Sequence, residues 1–222
     1  MYSLLILAAS FLLPAALAAP VAEVSGEPQM IQIDKRQGGY TWSFWQEGSG
    51  SHNCQNGQGG SYTANWSGGG GFVCGKGWSP GGNRAVKYSG TYKPTGPGYL
   101  SLYGWTKNPL VEYYIVESYD ILAPGEPWTK KGNFTIDGEG AYDVYTSQRV
   151  NKPSIVGTAT FTQYWSVRQE KRVGGTISTG KHFDAWNKLG MRLGQQDYMI
   201  LATEGFANGT KTASGSSALS LS

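Results

Sequence analysis

From position 40 onward the chain alternates apolar and polar residues in short runs, and Gly, Asn and Pro separate the runs. Segments 40–48 (YTWSFWQEG), 61–67 (SYTANWS), 84–94 (RAVKYSGTYKP), 99–105 (YLSLYGW) and 110–118 (LVEYYIVES) carry this period of two. So do 132–138 (GNFTIDG), 141–150 (AYDVYTSQRV), 158–171 (TATFTQYWSVRQEK), 197–206 (DYMILATEGF) and 217–222 (SALSLS). Each reads as a β-strand. So many strands joined by Gly-rich turns predict an all-β domain of two packed antiparallel sheets. Segment 178–194 departs from the pattern. Phe183, Trp186 and Leu189 recur there at helical spacing behind Ser178 and Thr179, either of which is a suitable cap. One α-helix is expected over about 179–189, packed on a sheet by its Phe/Trp face.

The same periodicity sorts side chains into faces. Glu112 shares a face with Leu110, Tyr114 and Val116. Glu204 shares one with Tyr198, Ile200 and Ala202, and Phe161, Gln163 and Trp165 fall together on a third strand. A carboxylate on an otherwise apolar strand face is costly to bury. Two such glutamates among aromatic side chains suit hydrolysis of a glycosidic bond. One is ionised to attack or stabilise the anomeric carbon, and the other stays protonated to release the leaving oxygen. The pattern equally fits two glutamates each satisfied by a buried Arg or Tyr. Periodicity does not say whether their strands are neighbours.

Composition narrows the alternatives. The chain has 222 residues, with 33 Gly, 8 Trp, 14 Tyr and 7 Phe, and 15% charged residues. That is too aromatic for a disordered chain and too rich in Gly for a helical bundle. No linker interrupts it, so one domain is expected. A net charge of +3 without a basic run disfavours nucleic acid as a partner. The two histidines are His52, in a predicted loop, and His182, on the predicted helix, where a structural role is favoured. With so few, Ser-His or Cys-His nucleophilic catalysis and a His/Cys zinc site both fit poorly. The Gly run at 68–71 reads as a hairpin turn, not a phosphate-binding loop.

Residues 1–18 end in Ala16-Leu17-Ala18 after an apolar run and resemble a secretory signal peptide, although the first residues lack Lys and Arg. Pro14 and the short span argue against a membrane anchor, and no second apolar run of spanning length follows. Residues 19–36 read as a propeptide ending at the dibasic pair Lys35-Arg36, leaving 37–222 as the single domain of a secreted, extracellular protein. In that setting Cys54 and Cys74 are expected to pair across a Gly-rich, hairpin-like segment, a closure that stabilises by roughly 3 kcal/mol. Three N-glycosylation sequons begin at Asn65, Asn133 and Asn208, the first on a predicted strand.

Four blocks then carry a specific resemblance: 103–119 (YGWTKNPLVEYYIVESY), 149–172 (RVNKPSIVGTATFTQYWSVRQEKR), 180–191 (GKHFDAWNKLGM) and 197–205 (DYMILATEG). In order and over almost all of 38–205 they resemble family 11 glycoside hydrolases, the small endo-β-1,4-xylanases. The resemblance implies a jelly-roll sandwich of two strongly curved antiparallel sheets with one helix, a cleft holding xylan or xylo-oligosaccharides, and hydrolysis with retained configuration. It implies Glu112 as nucleophile and Glu204 as general acid/base, about 5–5.5 Å apart. It further implies substrate contacts from Trp45, Tyr103, Tyr114, Arg149, Gln163 and Tyr198, and a thumb loop over the cleft tipped by Pro153 and Ile155. No metal or cofactor is called for, and a monomer is expected. Four departures stand out. Gly71 occupies a position where the family usually has Asn or Asp beside the acid/base, and the expected mature chain starts only a few residues before the first strand, which leaves the family's outermost strand short or absent. The loop 118–132 (SYDILAPGEPWTKKG), with Trp128, and the turn 207–217 (ANGTKTASGSS) after Glu204 are unusual, as features that reshape outer subsites or as surface variation only. An endo-β-1,4-glucanase on a related jelly roll, and a noncatalytic carbohydrate-binding or plant-defence-elicitor protein, are the rival expectations.

Overall fold

The computed structural model describes residues 32–37, 39–122 and 127–222. The expected signal peptide, and the expected propeptide up to residue 31, lie outside them. The described residues form fourteen strands and one helix. Nine strands make the larger sheet, in the order β1 (Gln32–Gln37), β2 (Tyr40–Glu47), β5 (Gly71–Trp78), β13 (Gln195–Phe206), β7 (Gly98–Lys107), β8 (Val111–Tyr119), β11 (Gly157–Arg168), β10 (Gly140–Ser154) and β9 (Thr129–Ile136). The other five make the smaller sheet, in the order β12 (Gly175–Ser178), β6 (Ala85–Thr95), β14 (Ala213–Leu221), β4 (Ser61–Gly68) and β3 (Ser51–Asn56).

The central strands of the larger sheet, β5, β7 and β8 above all, carry buried side chains on both faces. Val111, Tyr113 and Ile115 of β8 join Leu100, Leu102, Met199 and Leu201 in the layer between the sheets, where Tyr62, Trp66, Val86 and Leu219 of the smaller sheet meet them. On the opposite face Tyr114 and Val116 join Tyr103, Trp105, Phe161, Trp165 and Tyr198 in a second, largely aromatic cluster. The period-2 assignment of Glu112 and Glu204 therefore puts both on the face turned away from the smaller sheet.

The all-β sandwich with one helix stands, with four local corrections. The β8–β11 pair is parallel, not antiparallel, and sets Gln163 beside Glu112 and Trp165 beside Tyr114. The chain leaves β8, builds β9 and β10 beyond it, and turns back through the β10–β11 hairpin, so β11 returns in the direction of β8. The second correction concerns residues 54–74, which are not one hairpin. After Gly69 and Gly70 the chain crosses from β4 in the smaller sheet to β5 in the larger. The Cys54–Cys74 disulfide, with its Cα atoms 6.5 Å apart, therefore ties the two sheets together.

Third, β1, β3, β5 and β12 carried no clear alternation in the sequence. In β5 the reason is close approach: a Cβ at Gly75 or Gly77 would fall 1.9 Å from the carbonyl oxygen of Leu201 or Met199. The strand lies against β13 too tightly for a side chain at these positions. The fourth correction is the helix cap. Helix α1 (Thr179–Lys188) begins without a side-chain cap bond from Ser178. Instead the Thr179 hydroxyl donates to the Gly82 carbonyl at 2.8 Å and accepts from the Arg84 N–H at 2.8 Å. Trp186 faces the core and donates its indole N–H to Ser166 Oγ at 2.9 Å. His182 is buried against Phe134, Tyr142 and Trp186 on the interlayer side, remote from the carboxylate face, as its structural assignment requires.

Candidate active site

Glu112 is the second residue of β8, with only 7% of its surface exposed. Its Oε1 accepts the hydroxyls of Tyr103, at 2.7 Å, and Tyr114, at 3.1 Å, and its Oε2 accepts the Gln163 amide at 2.6 Å. The donors are themselves fixed. Trp105 donates its indole N–H to the Tyr103 hydroxyl at 2.6 Å. Trp165 donates to Ser147 Oγ at 3.0 Å, and Ser147 donates to Gln163 Oε1 at 2.8 Å, which leaves the Gln163 amide nitrogen facing Glu112. Burial pushes the Glu112 carboxyl above its ordinary pKa, while the bonds from Gln163, Tyr103 and Tyr114 and the charge of Arg149 pull it back.

Glu204 lies on β13, two strands away across β7. Part of its side chain remains open, but Oε2 is buried and has no hydrogen-bond partner among the described residues. Burial first, then the nearby charge of Glu112, raises its pKa to about 8, against a smaller opposing pull from Arg149. Glu204 lies opposite Tyr99 on β7, and Glu112 opposite Trp105.

The asymmetry follows from the surroundings. Both carboxyls are desolvated, but only one has three donors. Glu112 is the group that ionises first, and Glu204 is the group that holds a proton near neutral pH.

The other anticipated residues fall around this pair. Trp45 on β2 and Ile155 at the β10–β11 turn pack against the same aromatic cluster. Arg149 stands on β10 within electrostatic reach of both carboxyls. Pro153 is exposed near the hairpin tip, paired with Thr158. Tyr198 is brought close but is only 1% exposed; its ring meets Tyr103 at 6.1 Å between centroids, so it supports Tyr103 from behind. Trp105 and Ser147, which orient the donors to Glu112, were missed. The alternation of segment 99–105 puts Trp105 on the face of Tyr103, and that signal was available. Ser147 has no such signal, because its importance rests on the β10–β11 register, which pairs it with Gln163.

Two carboxyls of unlike proton affinity on one aromatic sheet face are the equipment of a glycoside hydrolase. The comparisons agree. The profile of Glycosyl hydrolases family 11 matches residues 37–216, and the chain belongs to that family. It is 56% identical over 169 residues to the Ethylene-inducing xylanase 1 of Botryotinia fuckeliana, a match covering 76% of this chain and 60% of that protein. It is 50% identical over 184 residues to Endo-1,4-beta-xylanase 2 of Rhizopus oryzae, covering 83% of this chain and 82% of that one. A solved structure from a comparison of the two major endo-1,4-beta-xylanases of Trichoderma reesei superposes with a TM-score of 0.73 at 39% identity, covering 86% of this chain and 98% of the other.

Proposed function

We propose that the protein is a secreted endo-β-1,4-xylanase that cleaves internal bonds of xylan with retention of anomeric configuration. The observation that carries this reading is the unequal setting of the two glutamates: three donors hold Glu112, and none serves the buried oxygen of Glu204. The xylan chain lies on the carboxylate face, stacked on Trp45 and held by Arg149 and by Pro153 and Ile155 at the thumb. Glu204 gives its proton to the glycosidic oxygen as Glu112 attacks the anomeric carbon, so the C–O bond breaks while an ester to Glu112 forms. The sugar bearing the freed hydroxyl departs, and Glu204, now ionised, takes a proton from the incoming water. That water displaces Glu112 and restores both groups. The three donors to Glu112 stabilise it as the leaving carboxylate in this second step. The chemistry requires no cofactor.

Proton NMR of the first product formed from a soluble xylo-oligosaccharide tests the reading, with β-configured reducing ends expected and α-configured ends refuting it. Release of reducing sugar from xylan but not from carboxymethyl cellulose separates it from the glucanase alternative. The ethylene-inducing name of the Botryotinia relative favours an elicitor activity as a second property of the same chain, retained in a Glu112→Gln variant.

Secretion rests on residues 1–18. The dibasic pair Lys35-Arg36 lies within β1, so cleavage after it would leave only Gln37 of that edge strand. Asn133 and Asn208 are exposed on β9 and on the β13–β14 turn, open to glycan addition.

A further inference from the structure

We propose that Trp128, together with Tyr145, forms a sugar-stacking subsite on the β9–β10 flank of the cleft, which takes a xylose ring remote from the cleaved bond and makes the enzyme select long chains. The inference rests on the reading of the protein as a xylanase.

A row of rings leads away from the nucleophile. The Tyr114 hydroxyl bonds Glu112, and the Tyr114 ring stacks on Trp165 at 3.9 Å with 6° between planes. Trp128 lies over Trp165 at 4.8 Å and against Tyr145 at 4.8 Å, tilted by 36° and 38°. Trp165 is thus enclosed between Tyr114 and Trp128 and is only 3% exposed, so it has no face left for a ligand. The rings that remain partly open at the end of the row are Trp128 and Tyr145. Trp128 also holds a buried indole N–H without a partner among the described residues, a poor arrangement for a side chain that serves only as filling.

The position is well anchored. Trp128 directly precedes β9, whose Thr129 and Lys130 pair with Thr146 and Tyr145. Lys130 Nζ lies 5.9 Å from the Tyr145 ring centroid and bonds Asp143 at 2.9 Å, which anchors the outer ring. Trp45 lies on β2, at the other end of the strand order. A polysaccharide across the carboxylate pair therefore meets one aromatic platform on each flank, and each must bind a different sugar.

The test compares the purified enzyme with Trp128→Ala and Trp128→Phe on reducing-end-labelled xylo-oligosaccharides from xylotriose to xylohexaose. Loss of one stacked ring lowers the ratio of kcat/KM for xylohexaose over xylotriose by roughly two- to tenfold in Trp128→Ala, and Phe restores part of it. Trp128→Ala and Trp45→Ala also move the preferred cleavage bond of labelled xylohexaose in opposite directions. If Trp128 only covers Trp165, its removal loosens Tyr114 and Glu112. All chain lengths then fall together with the cleavage pattern unchanged, which overturns the proposal, as does no change at all. If the unaltered enzyme cleaves none of the oligosaccharides, the xylanase reading itself fails and the subsite falls with it.

Discussion

Replacing Gly71 by Asn tests how Glu204 is tuned. Gly71 opens β5 opposite Phe206, and positions 71 and 73 share the cleft face with Glu204 and Phe206. Nothing in the backbone demands glycine there. An added Cβ would meet Phe206 Cβ at 3.5 Å, the Gly205 carbonyl at 3.8 Å and Glu47 Cγ at 3.9 Å, all ordinary contacts. An Asn side chain reaches diagonally toward the buried Oε2 of Glu204, which lacks a donor. A hydrogen bond to a charged group contributes about 1.5–3 kcal/mol and favours the ionised form, equivalent to roughly one to two pH units. Glu204 must be protonated to act, so the high-pH limit of activity should fall from about 8 by that amount. The assay is kcat/KM against pH on a soluble xylo-oligosaccharide, where the basic limb reports the acid of the free enzyme. A basic limb that stays in place in a folded Gly71→Asn variant would falsify the placement of residue 71 beside Glu204, or the role of Glu204 as the acid. The companion Gly71→Asp adds a second carboxyl that titrates jointly with Glu204, and it should displace the acidic limb.

Four further outcomes follow from the same geometry. Glu112→Gln removes the charge that helps raise Glu204, so the Glu204 carboxyl, followed by infrared or NMR titration, should ionise at lower pH than in the unaltered protein. Because Glu204 binds its proton more tightly folded than unfolded, it weakens the fold progressively as pH rises from about 4.5 toward 8. Glu204→Gln should therefore raise Tm more at pH 8 than at pH 4. Glu117 is fully buried and accepts from Tyr88 at 2.9 Å, Tyr142 at 2.7 Å and Arg172. Arg172→Met strands that carboxylate at a cost of about 3–5 kcal/mol, lowering Tm by roughly 6–20 °C, whereas a shift within 2 °C would show that the charge is not held by Arg172. Replacing Cys54 and Cys74 together by Ser unties the two sheets and should cost about 2–4 kcal/mol in chemical denaturation.

The parts of the fold legible in the sequence were those where one face differs from the other. Strands β8 and β13 kept their period of two because one face looks into the interlayer core and the other into the cleft, so both catalytic candidates could be placed on one side before any strand was paired. Strand β5 was illegible for the opposite reason. Gly75 and Gly77 are set by backbone contact with β13, and neither face shows a contrast that periodicity can detect. Pairing itself was also hidden. The parallel contact that delivers Gln163 to Glu112 spans a separation of 51 residues, and the hairpin register that brings Ser147 under Gln163 spans 16; neither leaves a local mark. Trp128 was visible only as an oddity; its meaning depends on Trp165 lying beneath it.

The central claim is that Glu112 attacks the sugar and Glu204 serves it with a proton. The most direct measurement is mass spectrometry of the protein after incubation with an activated 2-deoxy-2-fluoro-xylobioside, a sugar that slows release of the covalent intermediate. The account predicts one added fluoroxylobiosyl group, mapped by peptide digestion to Glu112 and absent from the Glu112→Gln variant. A label on another residue, or turnover of xylan by an enzyme that never carries the label, would contradict it.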